Sequence, residues 1–332
     1  MPISGRTWHI TRKPFACGLP SQTQEWTDSH ALRALLMHGH DAVGNLLLGA
    51  LTRDKFMEMP NPERVSLADK GPCYANLAIS ASRGELPGSS AGGEQPKFTA
   101  CVETADGPTH VIVKFSEVQE SPISERWRDL LLAEHLALTT LRAAGLPAAK
   151  SAILDHAGQR FLEVERFDRV GTLGRRAVIS LAAFDAEYVG AAHQTWPVLT
   201  KSLLNQGVIT PQSGSLTELL WAYGVLIGNT DMHSGNLSFV SEHGRPYALA
   251  PAYDMTPMAF APSSSGRLQD HIPPFQLHAG VSHDHWRNAL ALAQVFLASV
   301  QASTQFSLNF QTCIAALATY LETASARIAR LD

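Results

Sequence analysis

The sequence predicts an α+β fold, or two lobes with a cleft between them, and three observations carry that expectation. A strand–turn–strand signal is written as "PKFTACVET", "ADGP" and "THVIVKFSE". Immediately after Pro122 the apolar spacing changes from alternation to the helical period. Beyond Asp168 the chain reads as mainly helical, with long apolar-periodic stretches at Leu216 to Gly228 and from His285 to Asp332.

Taken in order, Met1 to Gln24 carry no pattern that assigns them. "DSHALRALLMHGH" spaces Leu32, Leu35 and Leu36 as a helix does, with Asp28 and Ser29 as capping candidates. "AVGNLLLGAL" reads as a strand, and Asp54 to Gly71 as a loop or short helix. "SRGELPGSSAGGEQPKF" has the composition of a linker, yet it runs straight into the hairpin, so it belongs with the sheet. The helix "SERWRDLLLAEHLALTTLRAAGLP" places Leu130, Ala133, Ala137, Leu138 and Leu141 on one face and stops at Gly145 and Pro147. "KSAILDH" and "RFLEVERFD", joined at "AG", read as two further strands, and "VSEHGRPYAL" as a hairpin turning at "EHGRP".

Bulk properties exclude several classes. The chain has 332 residues, 45% hydrophobic and 17% charged, as in ordinary globular proteins with room for a sizeable core. A net charge of −4 gives no overall attraction to nucleic acid or anionic membrane, and no Lys/Arg tract appears. Cys17, Cys73, Cys101 and Cys313 are scattered without a C-x-x-C pair, which argues against a disulfide framework or Cys-rich zinc site and fits a reducing cytosol. "MPISGRTWHITRKPF" has no apolar signal region, and the longest apolar run is too short to span a bilayer. These features are those expected of a cytoplasmic protein.

Four stretches hold residue types suited to chemistry. In "SSAGGEQPK", consecutive glycines let backbone N–H groups cradle a phosphate, although the Walker ending is missing and a plain surface loop has the same composition. Lys114 in "HVIVKF" fits a solvated lysine on a strand's polar face; it also fits a lysine reaching nucleotide phosphates, held by Glu134 on the polar side of the next helix. In "GNTDMHSGNLSF" and "LAPAYDMTP", Asp231, Asn236 and Asp254 follow the order D-x-x-x-x-N and then D after a hairpin. Phosphoryl transfer needs a carboxylate to orient or deprotonate the attacking hydroxyl and oxygen ligands to hold magnesium. His233 reads as a brace that hydrogen-bonds the loop backbone and fixes Asp231. An Asx-rich turn or a transition-metal site would use some of the same residues, but the order of five features argues against both.

Through "SSAGGEQPKF", "VIVKF", "VERFDR", "GNTDMHSGNLSF" and "LAPAYDMTP", the sequence resembles the HipA-like serine/threonine kinases, toxins of bacterial toxin–antitoxin systems. The resemblance covers roughly Leu46 to Met258, and its wording is nearest to the YjjJ (HipH) branch, whose additional N-terminal DNA-binding-like segment is not visible here, as in a short relative. It implies a two-lobed protein-kinase-like α+β fold with a β-rich N-lobe and a mainly helical C-lobe. The implied domains are an N-terminal subdomain at 1–80, the kinase N-lobe at 81–168 and the C-lobe at 169–332.

The same resemblance implies roles. Asp231 is the catalytic base, Asn236 and Asp254 hold Mg2+, and Lys114 meets the ATP phosphates with Glu134 as partner. The loop residues Ser90, Ala91, Gly92 and Gly93 border the nucleotide, backbone groups near Glu165 and Phe167 meet the adenine, Asp168 reaches the ribose, and His233 joins the ATP site. Ser90, with Ser89 as the alternative register, is the loop serine for autophosphorylation. The implied function is a toxin kinase acting on a translation component such as an aminoacyl-tRNA synthetase, with a HipB-like antitoxin as partner and neither nucleic-acid nor membrane binding by this chain. Two alternatives share the motifs: an aminoglycoside-type small-molecule phosphotransferase, and a silent ATP-binding or antitoxin-binding module.

Overall fold

The computed structural model describes residues 19–20, 25–58, 61–83 and 95–331. The unassigned stretch Met1 to Gln24 lies almost wholly outside these, as do Ser89, Ser90, Ala91, Gly92 and Gly93. Helix α1 (Asp28–His38) is capped by Thr27 rather than by Asp28 or Ser29, in a capping box with His30. It buries Ala31, Ala34 and Leu35, while Leu32 and Leu36 are exposed, so two alanines and one leucine make the inward face. The strand expected at "AVGNLLLGAL" does not form. Gly44 and Gly49 take φ of +83° and +81°, which interrupts any extended run, and the chain then enters helix α2 (Ala50–Met57). Strand β1 (Arg64–Val65) and helix α3 (Lys70–Ser82) follow.

The N-lobe sheet is built from the expected hairpin, β2 (Lys97–Thr104) and β3 (Gly107–Phe115), turning at Ala105–Asp106 with Gly107 at φ +104° opening β3. After the hairpin, Pro122 opens helix α4 (Pro122–Ala143), capped by Ser121, and the chain leaves it through Gly145 at φ +76°. Strands β4 (Ser151–His156) and β5 (Gln159–Glu165) complete a five-stranded sheet of order β1-β2-β3-β5-β4, antiparallel except for β1 on β2. Alternation along β2, β3 and β5 points Phe98, Val111, Val113, Phe115 and Phe161 at Tyr74 and Ala78 of α3, forming one apolar cluster. On the other face Leu162 and Val164 pack with Leu131 of α4. The sheet is therefore a layer between two helices, and α4 is fixed against it.

The C-lobe is less purely helical than its periodicity suggests. After a two-stranded ribbon, β6 (Arg169–Val170) with β7 (Gly174–Arg175), strand β8 (Ala177–Ser180) pairs with β9 (Ser238–Ser241), which pairs in turn with β10 (Ala248–Leu249). Strands β9 and β10 are the expected hairpin. The helices are α5 (Leu181–Phe184), α6 (Trp196–Asn205), α7 (Pro211–Leu226), α8 (His283–Ala302) and α9 (Gln311–Ile328). They enclose a core around Trp196, Tyr223, Phe239, Phe275, Trp286 and Phe296.

Along its length α4 is bolted to this lobe. Arg126 donates to the carbonyl of Phe260 at 2.8 Å and also to that of Gln269, and its guanidinium lies over the Phe310 ring. Asp129 accepts from the N–H and hydroxyl of Ser307, and Tyr223 donates to the Ala137 carbonyl.

Candidate active site

Lys114 is the penultimate residue of β3, opposite Lys97 on β2 and Leu162 on β5. Its position after the Val-Ile-Val run turns it toward α4, and it is buried rather than solvated. Its ammonium donates to both oxygens of Glu134 at 2.8 Å and also to Asp254. Glu134, expected on the polar side of α4, is on its inward face at 2% exposure, where it also accepts from the Thr256 hydroxyl at 2.6 Å. A buried carboxylate at that position is tolerable because an ammonium and a hydroxyl satisfy it. Burial opposes the charge on Lys114, but Asp254 and Glu134 outweigh it and hold its pKa above the ordinary lysine value.

Asp254 follows β10 and is reached through "LAPAYD", which is tied to the N-lobe connection by Ala149 N–H to Ala252 O and Ala252 N–H to Pro147 O, each 2.9 Å. It adopts φ +54°, a left-handed conformation uncommon for any residue but glycine. Its enclosed position pushes its carboxyl pKa up, yet Lys114, then Lys97 and His233, pull harder, so the net shift is downward. One third of the side chain remains open, at 34% exposure.

The catalytic-loop segment begins where α7 ends. Gly228, at φ +77°, turns the chain out of the helix, and Asn229 is buried beneath the turn. The Asn229 amide accepts from the Asp231 N–H at 3.0 Å and donates to the Asp254 carbonyl at 3.1 Å. Asn236 donates its side-chain N–H to the Asp231 carbonyl at 2.9 Å, which leaves its amide oxygen for another partner. Asp231 itself is exposed. His233 braces the loop as expected, but through Gly235, whose N–H it accepts at 3.0 Å, while its carbonyl accepts from Trp196 Nε1 at 2.9 Å. Tyr253 adds a strut, donating to the Gly235 carbonyl at 2.9 Å.

The remaining expected positions divide. Phe167 sits with its ring 5.7 Å from that of Tyr253, which brings the "VERFDR" segment beside Asp254. Glu165 ends β5, its N–H donating to the Lys150 carbonyl and its carboxylate 3.6 Å from Lys150. Asp168 has its carboxylate taken up by the protein: it is buried, accepts from both Arg166 and Arg169, and takes the Gly44 N–H at 3.1 Å. Its carboxylate joins the hinge to the segment around Asp41, which pairs with the same two arginines. Both acids resist protonation: burial raises their pKa values, and the arginines more than reverse that. Where the glycine-rich loop rejoins the sheet, Gln95 donates to the Phe115 carbonyl at 2.5 Å, one residue beyond Lys114.

These residues suit a hard divalent cation carried by phosphates. The available donors are a carboxylate oxygen of Asp254 and the amide oxygen of Asn236, both oxygen ligands of the magnesium type. Among the described residues no group of three or more His, Cys, Asp and Glu gathers as a protein-only metal cage. Asn229 and Thr256 escaped the sequence reading. The available signal was a polar residue immediately after an apolar helix, and a threonine two residues beyond an acid, neither of which exceeds ordinary turn chemistry.

With this geometry in place, a family model for the HipA-like C-terminal domain matches residues 89–323. The chain belongs to the HipA-like family. A second model, the middle domain of YjjJ-like toxins, matches residues 4–57. Toxin YjjJ of Escherichia coli K12 is 39% identical over 309 residues, spanning 92% of this chain and 69% of that protein. The solved HipA chain in a Shewanella oneidensis toxin–antitoxin complex of HipA, HipB and operator DNA superposes with a TM-score of 0.58 at 17% identity, covering 99% of this chain and 85% of that one. The Helicobacter pylori proinflammatory kinase CtkA gives a TM-score of 0.47 at 14% identity over 70% of this chain and 94% of its own. The two-lobed α+β, kinase-like fold of this HipA-like member is thus established. Among the described residues no helix is long and apolar enough to cross a membrane.

Proposed function

We propose that the protein is an ATP-dependent serine/threonine kinase that acts as a toxin. One observation carries the reading: Lys114 bridges Glu134 and Asp254, and Asn229 ties the Asp254 backbone to the loop that carries Asp231 and Asn236. Lys114, tied to α4 by Glu134, holds a fixed positive charge toward the nucleotide phosphates. Asp254 and Asn236 hold Mg2+ through oxygen. Asp231, exposed on a braced loop, orients the acceptor hydroxyl and takes its proton. Bound Mg2+–ATP supplies the phosphoryl group and the charge neutralisation for in-line transfer; the protein contributes positioning and electrostatics. Backbone groups near Glu165 and Phe167 meet the adenine, and Ser90, or Ser89, is the autophosphorylation site on the glycine-rich loop.

A protein acceptor in translation, such as an aminoacyl-tRNA synthetase, and a HipB-like antitoxin in the same cytoplasm complete the proposal; the likeness to Toxin YjjJ and to a HipA solved with HipB supports it. Labelled ATP incubated with wild type or Asp231→Ala in a bacterial lysate tests it. Label on a protein with wild type and none with the variant is expected; label only on a small molecule would favour the phosphotransferase alternative. Mass spectrometry of Ser90→Ala and Ser89→Ala should show loss of the loop phosphate in one of them.

A further inference from the structure

We infer that Asn229 is the positioning residue that sets the proton-accepting Asp231 against the metal-bearing Asp254, an inference that rests on the kinase reading. Asn229 is 5% exposed and makes two bonds to backbone groups of two different segments, accepting the Asp231 N–H and donating to the Asp254 carbonyl. Twenty-five positions of chain separate Asn229 from Asp254, so this side chain is a direct tie between the catalytic loop and the metal-binding segment. An amide is needed for that tie. One end must accept and the other donate, which a carboxylate, a hydroxyl of shorter reach or an aliphatic chain cannot do together.

The bond falls where the backbone most needs holding. Asp254 carries its left-handed φ of +54° at the residue whose carbonyl Asn229 grips, and conformations of this kind persist only where the surroundings fix them. Lys114 holds the Asp254 side chain from the other lobe, so carboxylate and carbonyl are fixed separately. Asp231 is fixed in the same way, its N–H by Asn229 and its carbonyl by Asn236. Asn236 therefore ties its own metal-ligating amide to Asp231, and Asn229 extends the tie to Asp254. Two amides thus fix the Asp231 backbone relative to Asp254, the residues that would serve as base and metal ligand, while Asp231 itself stays exposed for the acceptor.

The test compares wild type with Asn229→Ala and Asn229→Asp. Asn229→Asp keeps the size and the acceptor but loses the donor, so it isolates the Asp254 bond. Turnover is expected to fall by about 100-fold in both, the cost of a misplacement on the order of 1 Å. Half-saturation by Mg2+ should move to higher concentration, with the KM for the acceptor unchanged. Calorimetry of ATP binding in EDTA and in Mg2+ gives a second readout: the variants should bind ATP alone as wild type does and lose the gain that Mg2+ confers. Circular dichroism checks that both variants fold. Wild-type Mg2+ dependence in Asn229→Asp would overturn this inference alone. A wild-type protein that binds no ATP in either condition would overturn the kinase reading and this inference with it.

Discussion

Lys114 and Glu134 meet through two 2.8 Å contacts, a fully formed ion pair between the end of β3 and the inward face of α4. Because α4 is also held by Arg126, Asp129 and Ala137, the pair sits on a helix that the C-lobe keeps in place. Removing either partner strands a buried charge. Lys114→Met or Glu134→Gln should cost about 3 kcal/mol each, the low end for a broken buried pair because Asp254 or Thr256 retains a contact. The double variant Lys114→Met/Glu134→Leu should lose less than the sum of the two. Urea unfolding of the three variants measures this coupling.

Among the described residues no carboxylate pairs with the buried Arg126 guanidinium, its N–H groups answering the carbonyls of Phe260 and Gln269. Arg126→Met fills much of the same volume but leaves those carbonyls unpaired, at a cost of about 2–3 kcal/mol. Hydrogen exchange should quicken first in residues 258–269, the stretch that follows Asp254, before the N-lobe sheet responds.

Asp41 and Asp168 tie the hinge to the N-terminal segment through Arg166 and Arg169. Both carboxyls titrate lower in the fold than in the unfolded chain. Their stabilising contribution is therefore complete above the unfolded carboxylate value of about 4 and is lost as pH falls through the lower folded values. Exchange at amides 39–44 followed during acid titration should show protection persisting at pH 5 and collapsing below about pH 4. Asp41→Asn should remove part of that dependence.

Gly228 occupies φ +77°, and a Cβ there would stand 3.1 Å from Ile272 Cδ1. Gly228→Ala combines backbone strain with crowding and should cost about 1–2 kcal/mol, lowering Tm by a few degrees. Since Asn229 follows directly, phosphoryl transfer should fall by more than the loss of folded protein explains; turnover per folded molecule is the measurement.

Much of this protein was legible in its sequence, because local signals determine local structure. Asp106 in the hairpin turn with Gly107 directly after it, the alternation along β2 and β3, Pro122 at the head of α4 and Gly145 at its end each prescribe their own geometry. The order of Lys114, Glu134, Asp231, Asn236 and Asp254 likewise singled out residues that the fold links, Lys114 bonding Glu134 and Asp254 while Asn229 ties the loop of Asp231 and Asn236 to Asp254. Other outcomes depended on partners distant in the chain. The glycines at 44 and 49 turned an apolar run away from strand, and α1 buried its alanines rather than Leu32 and Leu36. Glu134 lies on an inward face because Lys114 and Thr256 meet it there, and Asp168 serves the hinge because two arginines and the Gly44 N–H take its oxygens. A side chain's residue type states what it can bond; only the tertiary structure decides which bond satisfies it, because burial penalises an unpaired polar group and the fold chooses which partners are within reach. Asn229 is the clearest case: in the sequence it is one more polar residue in "GNTDMHSGNLSF", and in the fold it is the amide that joins Asp231 to Asp254.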